Sequence, residues 1–227
     1  MSHGTEEFKI IENSPKVKHF LRFDSYIHKP LTKVGTVISS HMISISRRPG
    51  FTELPSSIRN LKYLCHLDLS HSSIQRLSDS ICTLYGLKYL SLFGCRYIIE
   101  LPNNMGRLIN LCCLDVRGTK LKEMPVQMGK LRNLIILRAF VVGKHSGSNI
   151  RELGELHNLF ELSILNLQNV QCARDAEKVN LKDKQKLSEL VLQWDDHNNN
   201  TQNEINVIEQ MCPPTKLKAL TIKIEQM

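Results

Sequence analysis

The chain is poor in the features on which most catalytic and nucleic-acid sites depend. Aromatic residues make up 6% of its 227 residues, and there is one tryptophan. No run of lysine and arginine exceeds two residues, so the net charge of +8 is spread out. This pattern predicts a solvated basic surface rather than a nucleic-acid site, although attraction to acidic surfaces is compatible with it. No apolar run reaches about 18 residues, so we expect no transmembrane segment.

The seven cysteines do not follow the spacing of a disulfide framework. Five of them fall on positions of the repeat described below, and the only close pair, Cys112 and Cys113, is adjacent. Free thiols are typical of a reducing compartment, and residues 1–7 contain no apolar signal segment. We therefore expect the protein in the cytoplasm, or in both the cytoplasm and the nucleus.

Sequence motifs for phosphate binding, metal binding and catalysis are also missing. Gly143-Lys144-His145 lacks the upstream glycine and the following hydroxyl residue of a phosphate-binding loop. The nine histidines form no H-E-x-x-H zinc motif. Because alternate strand residues point to opposite faces, Cys112 is expected toward the core and Cys113 toward the open face, which argues against a shared metal. We expect no cofactor, no metal ion and no enzymatic activity.

Leucine is what the chain has in abundance, and it recurs every 23 or 24 residues. A period of about 20–29 residues with L-x-x-L-x-L is typical of a leucine-rich repeat solenoid. The predicted fold class is therefore α/β: a curved horseshoe with a parallel β-sheet on the concave face and short helices, 3-10 turns and loops on the convex face. The columns that keep this register are Leu61/Leu84/Leu108/Leu131, Leu67/Leu90/Leu114/Leu137, Leu69/Leu92/Val116/Ala139, Leu54/Leu77/Leu101/Met124, Pro55/Ser78/Pro102/Pro125 and Ile58/Ile81/Met105/Met128.

The register divides the chain into three segments. Residues 51–139 contain regular repeats, whereas residues 140–227 contain irregular ones, with a loop at 140–149, a short helix within 175–186 and a mobile polar insertion near 195–203. Residues 1–50 match poorly and are expected to be partly disordered or to form a cap. Since the chain ends just after a strand, without a polar terminal repeat, we expect a truncated C-terminus.

The outward positions of the predicted strands form the candidate binding face. Solenoids bind partners on such extended concave surfaces, and tyrosine, tryptophan and arginine are enriched at interaction hot spots. Any one of these residues is better explained as a solvated surface position, but as a patch they favour protein binding. The predicted protein-binding residues are His66, Asp68, Tyr89, Phe93, Asp115, Arg117, Arg138 and Phe140.

Several phrases in the sequence resemble one family, the plant coiled-coil, nucleotide-binding (NB-ARC), leucine-rich-repeat disease resistance proteins. The resemblance covers about residues 51–227. The phrases are LPSSIRNLKYL (54–64), LDLS (67–70), LPNNMG (101–106), FVVG (140–143), IREL (150–153), LNLQNV (165–170) and LVLQW (190–194).

This resemblance implies an immune receptor whose repeats sense pathogen effectors or guarded host proteins and restrain a nucleotide switch. The implied partners are those proteins, or the NB-ARC and coiled-coil regions of a receptor. ADP or ATP binding belongs to the NB-ARC domain, whose motifs this chain does not contain. Two alternatives stay open: a free-standing intracellular scaffold or adaptor, and a truncated, inactive resistance-gene product. A substrate-docking arm of a kinase or ubiquitin ligase is a weaker third, because no kinase or F-box residues are present.

Overall fold

The computed structural model describes residues 6–12, 18–23, 41–44, 52–144, 150–195 and 201–225. Their ten strands form one sheet in the order β10-β9-β8-β7-β6-β5-β4-β3-β1-β2. Strands β3 to β10 run parallel, and β1 pairs antiparallel with β2 and β3. The strands are β1 Glu6–Glu12, β2 Lys18–Phe23, β3 His41–Ser44, β4 Leu64–Asp68, β5 Tyr89–Ser91, β6 Cys113–Asp115, β7 Ile136–Val141, β8 Glu161–Leu165, β9 Glu189–Asp195 and β10 Ala219–Glu225.

Short 3-10 turns and two helices connect the strands on the opposite side of the solenoid. Each regular repeat enters its strand through i→i+3 bonds: the amide of Ile58 donates to Pro55 O, Leu61 to Ile58 O and Leu64 to Leu61 O. Proline fits before such a turn because its fixed φ and missing amide cost nothing there. The 3-10 turns are η1 Ser56–Asn60, η2 Asp79–Thr83, η3 Asn103–Arg107, η4 Met128–Lys130, η5 Ile150–Glu155, η6 Leu167–Asn169 and η7 Leu181–Asp183; the helices are α1 Ala173–Glu177 and α2 Thr201–Met211.

The core is the stack of predicted apolar columns, and the predicted leucine-rich repeat solenoid is confirmed. The columns led by Leu61, Leu67 and Leu69 are all buried as far as Ala139. After each strand a small residue turns inward: the Cys95 thiol donates to Leu69 O at 2.9 Å and the Thr119 hydroxyl to Val116 O at 2.8 Å. Because no repeat can bury its apolar residues alone, stability resides in the contacts between repeats.

Strand β7 departs from the regular alternation through a β-bulge. Leu137 pairs with Leu162, but the next pair joins Phe140 to Ile164, so β7 contains one extra residue. Ala139 takes a left-handed conformation, with φ of 74°. The bulge turns Phe140 inward, where 1% of its surface is exposed.

The structure corrects the sequence-based segments at four places. Residues 41–44, within the segment 1–50 that matches the repeat poorly, form a strand parallel to β4 and continue the sheet of the repeats. Part of the predicted loop at 140–149 extends β7, and residues 145–149 lie outside the described residues. The expected helix in 175–186 begins earlier, at Ala173. The loop prediction at 195–203 is wrong at both ends, since Asp195 ends β9 and α2 starts at Thr201, while residues 196–200 lie outside the described residues.

Helix α2 forms because its polar sequence conceals an apolar face. Val207 and Met211, four residues apart, are buried, and Ile208 packs beside the core. The Asn203 side-chain amide donates to Val170 O at 2.9 Å, which ties the helix to the preceding repeat. The polar, asparagine-rich composition predicted a loop, whereas the spacing of Val207 and Met211 four residues apart indicates a helix.

On strand β10, the apolar columns of the repeats continue but are exposed. Leu220, Ile222 and Ile224 stand in register with Leu190, Leu192 and Trp194 of β9. The three residues on β10 are exposed, whereas their partners on β9 are buried.

Candidate protein-binding face

The concave face consists of the outward side chains of strands β4 to β8, defined here by the ranges 66–70, 89–93, 113–117, 136–138 and 161–163. Strand register aligns them in rows. In one row, His66 lies beside Tyr89. In the next row, Asp68 lies beside Ser91, Ser91 beside Asp115, and Asp115 beside Arg138. Inward leucines fix the strands from behind, so the outward side chains stand on a rigid support.

At the β4 and β5 end, the face contains a pair of stacked rings. His66 and Tyr89 stack at 3.9 Å between ring centroids, with 6° between the ring planes. Burial lowers the pKa of His66 below its ordinary value, against the opposing effect of Asp68, so the imidazole is neutral at pH 7. Burial likewise raises the pKa of Tyr89. The stacked pair is therefore an uncharged, aromatic part of the face.

Next to it, the Asp68 carboxylate organises the end of β4. It accepts a hydrogen bond from the backbone amide of Ser70 at 2.9 Å and another from the Ser70 hydroxyl. The Ser70 hydroxyl also lies 2.8 Å from that of Ser91, which links β4 to β5. Asp68 thus has a structural role at the strand end in addition to its place on the face.

At the β6 to β8 end, the face is a charge network. Asp115 accepts from the Arg117 guanidinium, with Oδ2 2.7 Å from Nη2, and from the Arg117 amide at 3.1 Å. Arg138 lies 3.6 Å from Asp115 and 2.8 Å from Glu161, and the bond to Glu161 raises the pKa of Arg138. The Arg117 guanidinium carbon is 5.1 Å from the Phe93 ring centroid. Two arginines, two carboxylates and one aromatic ring are therefore held in one connected array.

Asp115 is the centre of that array, and its removal tests the network. Its side chain is 4% exposed, while those of Arg117 and Arg138 remain in contact with water. We expect Asp115→Ala to lower the free energy of unfolding by about 1–2 kcal/mol, because a buried acceptor disappears while both cations stay partly solvated. Urea denaturation measures this.

The matched control is Arg132→Ala, which breaks an exposed pair with Glu155 and leaves the carboxylate of Glu155 in place. Its cost should stay below about 0.5 kcal/mol. Equal effects of the two substitutions would contradict the central position of Asp115.

Of the eight predicted site residues, seven lie on this face, although Asp115 is covered by its arginine partners. The placement of Phe140 on the face is wrong, because the β7 bulge turns its ring into the core. Cys113 lies on the expected side of the sheet, in the row of Tyr89 and Ile136, although its neighbours bury it there. Cys112 differs from expectation, because it is half-buried at the strand start rather than in the core.

Sequence reasoning overlooked His71 as a contributor to the site. His71 has φ of 58° and meets Phe93 edge-on at 4.8 Å. Gly94 and Gly118, its equivalents in the next repeats, also have positive φ. This column of His, Gly and Gly after each strand was the signal, since glycine is favoured in left-handed backbone.

Neither a metal centre nor a membrane helix is found in the part of the chain that the structure describes. No three His, Cys, Asp or Glu side chains there are grouped to hold a metal ion. None of the helices described is long and apolar enough to cross a bilayer.

Comparison with known proteins identifies the origin of the repeats. The family of R13L1/DRL21 leucine-rich repeats matches residues 150–225. The putative disease resistance protein At3g14460 of Arabidopsis thaliana is 40% identical over 183 residues, which cover 80% of this chain and 13% of that protein. The putative disease resistance RPP13-like protein 1 of Arabidopsis thaliana is 37% identical over 203 residues, which cover 85% of this chain and 19% of that protein.

Among solved structures, the leucine-rich-repeat ectodomain of the plant membrane receptor kinase GASSHO1/SCHENGEN3 from Arabidopsis thaliana matches with a TM-score of 0.47 and 15% identity. That match covers 76% of this chain and 23% of the ectodomain chain. The chain spans less than a fifth of the length of the two resistance proteins it matches. On the strength of its repeats and of these relatives, the chain belongs to the leucine-rich-repeat regions of R13L1/DRL21-type plant disease resistance proteins.

Proposed function

We propose that this chain is the non-enzymatic recognition module of a plant intracellular immune receptor, and that it binds a partner protein through the concave face. The single observation that carries the proposal is the connected array from Phe93 to Glu161, next to the stacked His66 and Tyr89. Aromatic and guanidinium groups on a rigid support are the side chains that dominate protein interfaces. The partner is a pathogen effector, a guarded host protein or the nucleotide-binding region of the receptor.

The mechanism would be differential binding. A partner shifts a receptor between a resting and an active state only if it binds one state more tightly. The array suits this role because its side chains are already ordered by their mutual contacts, which reduces the entropy lost on binding. Restraint of a nucleotide switch would follow if the concave face contacts the nucleotide-binding region in the resting state.

The proposed compartment is the cytoplasm, and the cysteines support it. All seven are free thiols, and Cys82, Cys95 and Cys113 are buried. Burial raises the pKa of Cys82 and of Cys113 to about 11, so both are protonated and unreactive at pH 7. Unpaired thiols fit a reducing environment.

The test is binding to the immobilised nucleotide-binding region of a full-length plant resistance protein, measured by surface plasmon resonance. We expect Tyr89→Ala and Arg117→Glu each to weaken binding at least about thirtyfold, because both lie at the centre of the face. The far-ultraviolet circular dichroism should not change, since both side chains point away from the core.

Matched controls are Tyr97→Ala and Arg107→Glu, which alter the same residue types at exposed positions outside the concave face. They should bind like the unaltered chain. Unchanged affinity in both Tyr89→Ala and Arg117→Glu would remove the proposed face.

A further inference from the structure

A second surface, separate from the concave face, runs across the starts of strands β5 to β9. It is a groove of about 620 Å³ that extends from Lys88, just before β5, to Lys186, just before β9. We call it the strand-start groove. It crosses five repeats, so one ligand lying along it would contact them all.

The floor of the groove is apolar. Ile135 and Phe160 are 45% and 41% exposed, and Cys112 lies beside them half-buried. Their backbones are hydrogen-bonded in sequence: Ile135 N donates to Cys112 O at 2.8 Å, and Phe160 N donates to Ile135 O at 2.7 Å. The side chains therefore stand on adjacent strands, about 4.8 Å apart. Neighbouring exposed apolar side chains of this size favour a binding role.

The wall of the groove is a ladder of asparagines at equivalent positions of three repeats. The side-chain amide of Asn110 donates to Tyr85 O at 2.8 Å, that of Asn133 to Ile109 O at 2.9 Å and that of Asn158 to Arg132 O at 2.9 Å. Each bond joins one repeat to the preceding one. The wall is therefore fixed before a ligand arrives, which lowers the entropic cost of binding.

The two ends of the groove are positive. Lys88 lies at one end, and at the other the Lys186 ammonium donates to the Asn158 side-chain oxygen at 2.7 Å. None of the described residues that line the groove is acidic. Charge complementarity therefore calls for a ligand with carboxylates at its ends and apolar groups between them.

The length of the groove sets the size of that ligand. Four strand spacings separate β5 from β9, or about 19 Å. An extended chain advances about 3.3 Å per residue, so seven residues, with six steps, span about 20 Å. Alternate side chains of an extended segment share one face.

We propose that the strand-start groove binds an extended, acidic-ended segment of a partner protein, seven residues long, with two large aliphatic side chains packed on the apolar floor of Cys112, Ile135 and Phe160. Nucleic acid is disfavoured, because two lysines would neutralise few phosphates and a single aromatic ring offers little stacking. This surface does not depend on the concave face, so either can fail alone.

The probe is the fluorescein-labelled peptide Glu-Ser-Leu-Ser-Leu-Ser-Glu, titrated with the full chain and followed by fluorescence anisotropy at low salt. Saturable binding is expected, and the peptide Lys-Ser-Leu-Ser-Leu-Ser-Lys should bind at least about tenfold more weakly because its ends repel both lysines. Ile135→Ser and Phe160→Ala should each weaken binding about tenfold. The double variant Lys88→Glu/Lys186→Glu should reverse the preference between the two peptides.

All four substituted positions are exposed, so these variants keep the fold, and circular dichroism verifies it. Arg117→Glu on the concave face should bind the acidic peptide within about twofold of the unaltered chain, which separates this surface from the proposed function. The proposal is overturned by any of three results: no saturation at about 1 mM peptide, equal binding of the two peptides, or tighter binding of a ten-nucleotide single-stranded DNA.

Discussion

Replacing Phe140 by alanine is expected to lower the free energy of unfolding by about 3–5 kcal/mol, the range for a buried aromatic residue. The ring is 1% exposed and belongs to the core. The β7 bulge places it there, opposite Ile164 rather than on the open face. The loss combines the apolar area returned to water with the cavity left between β7 and β8, because the neighbouring strands are held by their own pairing.

The matched control for Phe140 is Phe93, which the repeat pattern places in an equivalent outward column. Phe93 is 38% exposed, and its ring contacts His71 and Arg117 rather than the core. Phe93→Ala should cost less than about 1 kcal/mol. Urea denaturation followed by circular dichroism measures both. If the two substitutions cost the same, the inward turn at the bulge is incorrect.

Replacing Lys184 by methionine should change how stability depends on pH. Lys184 occupies the core column of Leu131 and Leu156, is fully buried, and its ammonium donates to Leu153 O at 2.7 Å and Leu156 O at 3.0 Å. Burial lowers its pKa from 10.5 to about 8, despite the opposing charges of Glu155 and Asp183. Between those values the unfolded chain binds more protons than the folded chain, so folding is favoured as the pH rises.

We therefore expect the unaltered chain to gain about 2–3 kcal/mol of stability relative to Lys184→Met as the pH rises from 8 to 10.5. The gain disappears as the pH falls through 8. Near pH 7 the two chains should differ by less than about 1 kcal/mol, because the lost hydrogen bonds and the removed buried charge offset each other.

Urea denaturation at several pH values from 7 to 10.5 measures the difference, and the cysteines, common to both chains, cancel. Lys182→Met alters an exposed lysine of the same turn and should follow the unaltered chain at every pH. Parallel stability curves for the unaltered chain and Lys184→Met would show that Lys184 is solvated.

The regular repeats could be predicted because burial and sequence period coincide there. Leu67, Leu90 and Leu114 follow one another at steps of 23 and 24 residues, and each step fixes a strand, its register and its inward face. The concave rows followed from the same alternation. The contacts within the rows could not be predicted in this way, because Arg138 contacts both Asp115 and Glu161 only in particular side-chain conformations.

The departures had causes that the repeat period does not encode. Ala139 adopts a positive φ, which an alanine in the sequence, unlike a glycine, does not predict. The continuous apolar run from Ala139 to Val142 was the available signal, since such runs are typical of strands buried on both faces. Lys184 was hidden among three lysines at alternate positions, and composition alone does not tell which enters the core.

The buried thiols can report local unfolding of the solenoid. Cys82, Cys95 and Cys113 sit in neighbouring turns of the ladder, protonated and shielded, while Cys172 and Cys212 lie open. An alkylating reagent can reach the first three only when the repeat that contains each of them unfolds locally. The labelling rate of each thiol, measured by mass spectrometry, would thus report how often its own repeat opens, without an added dye.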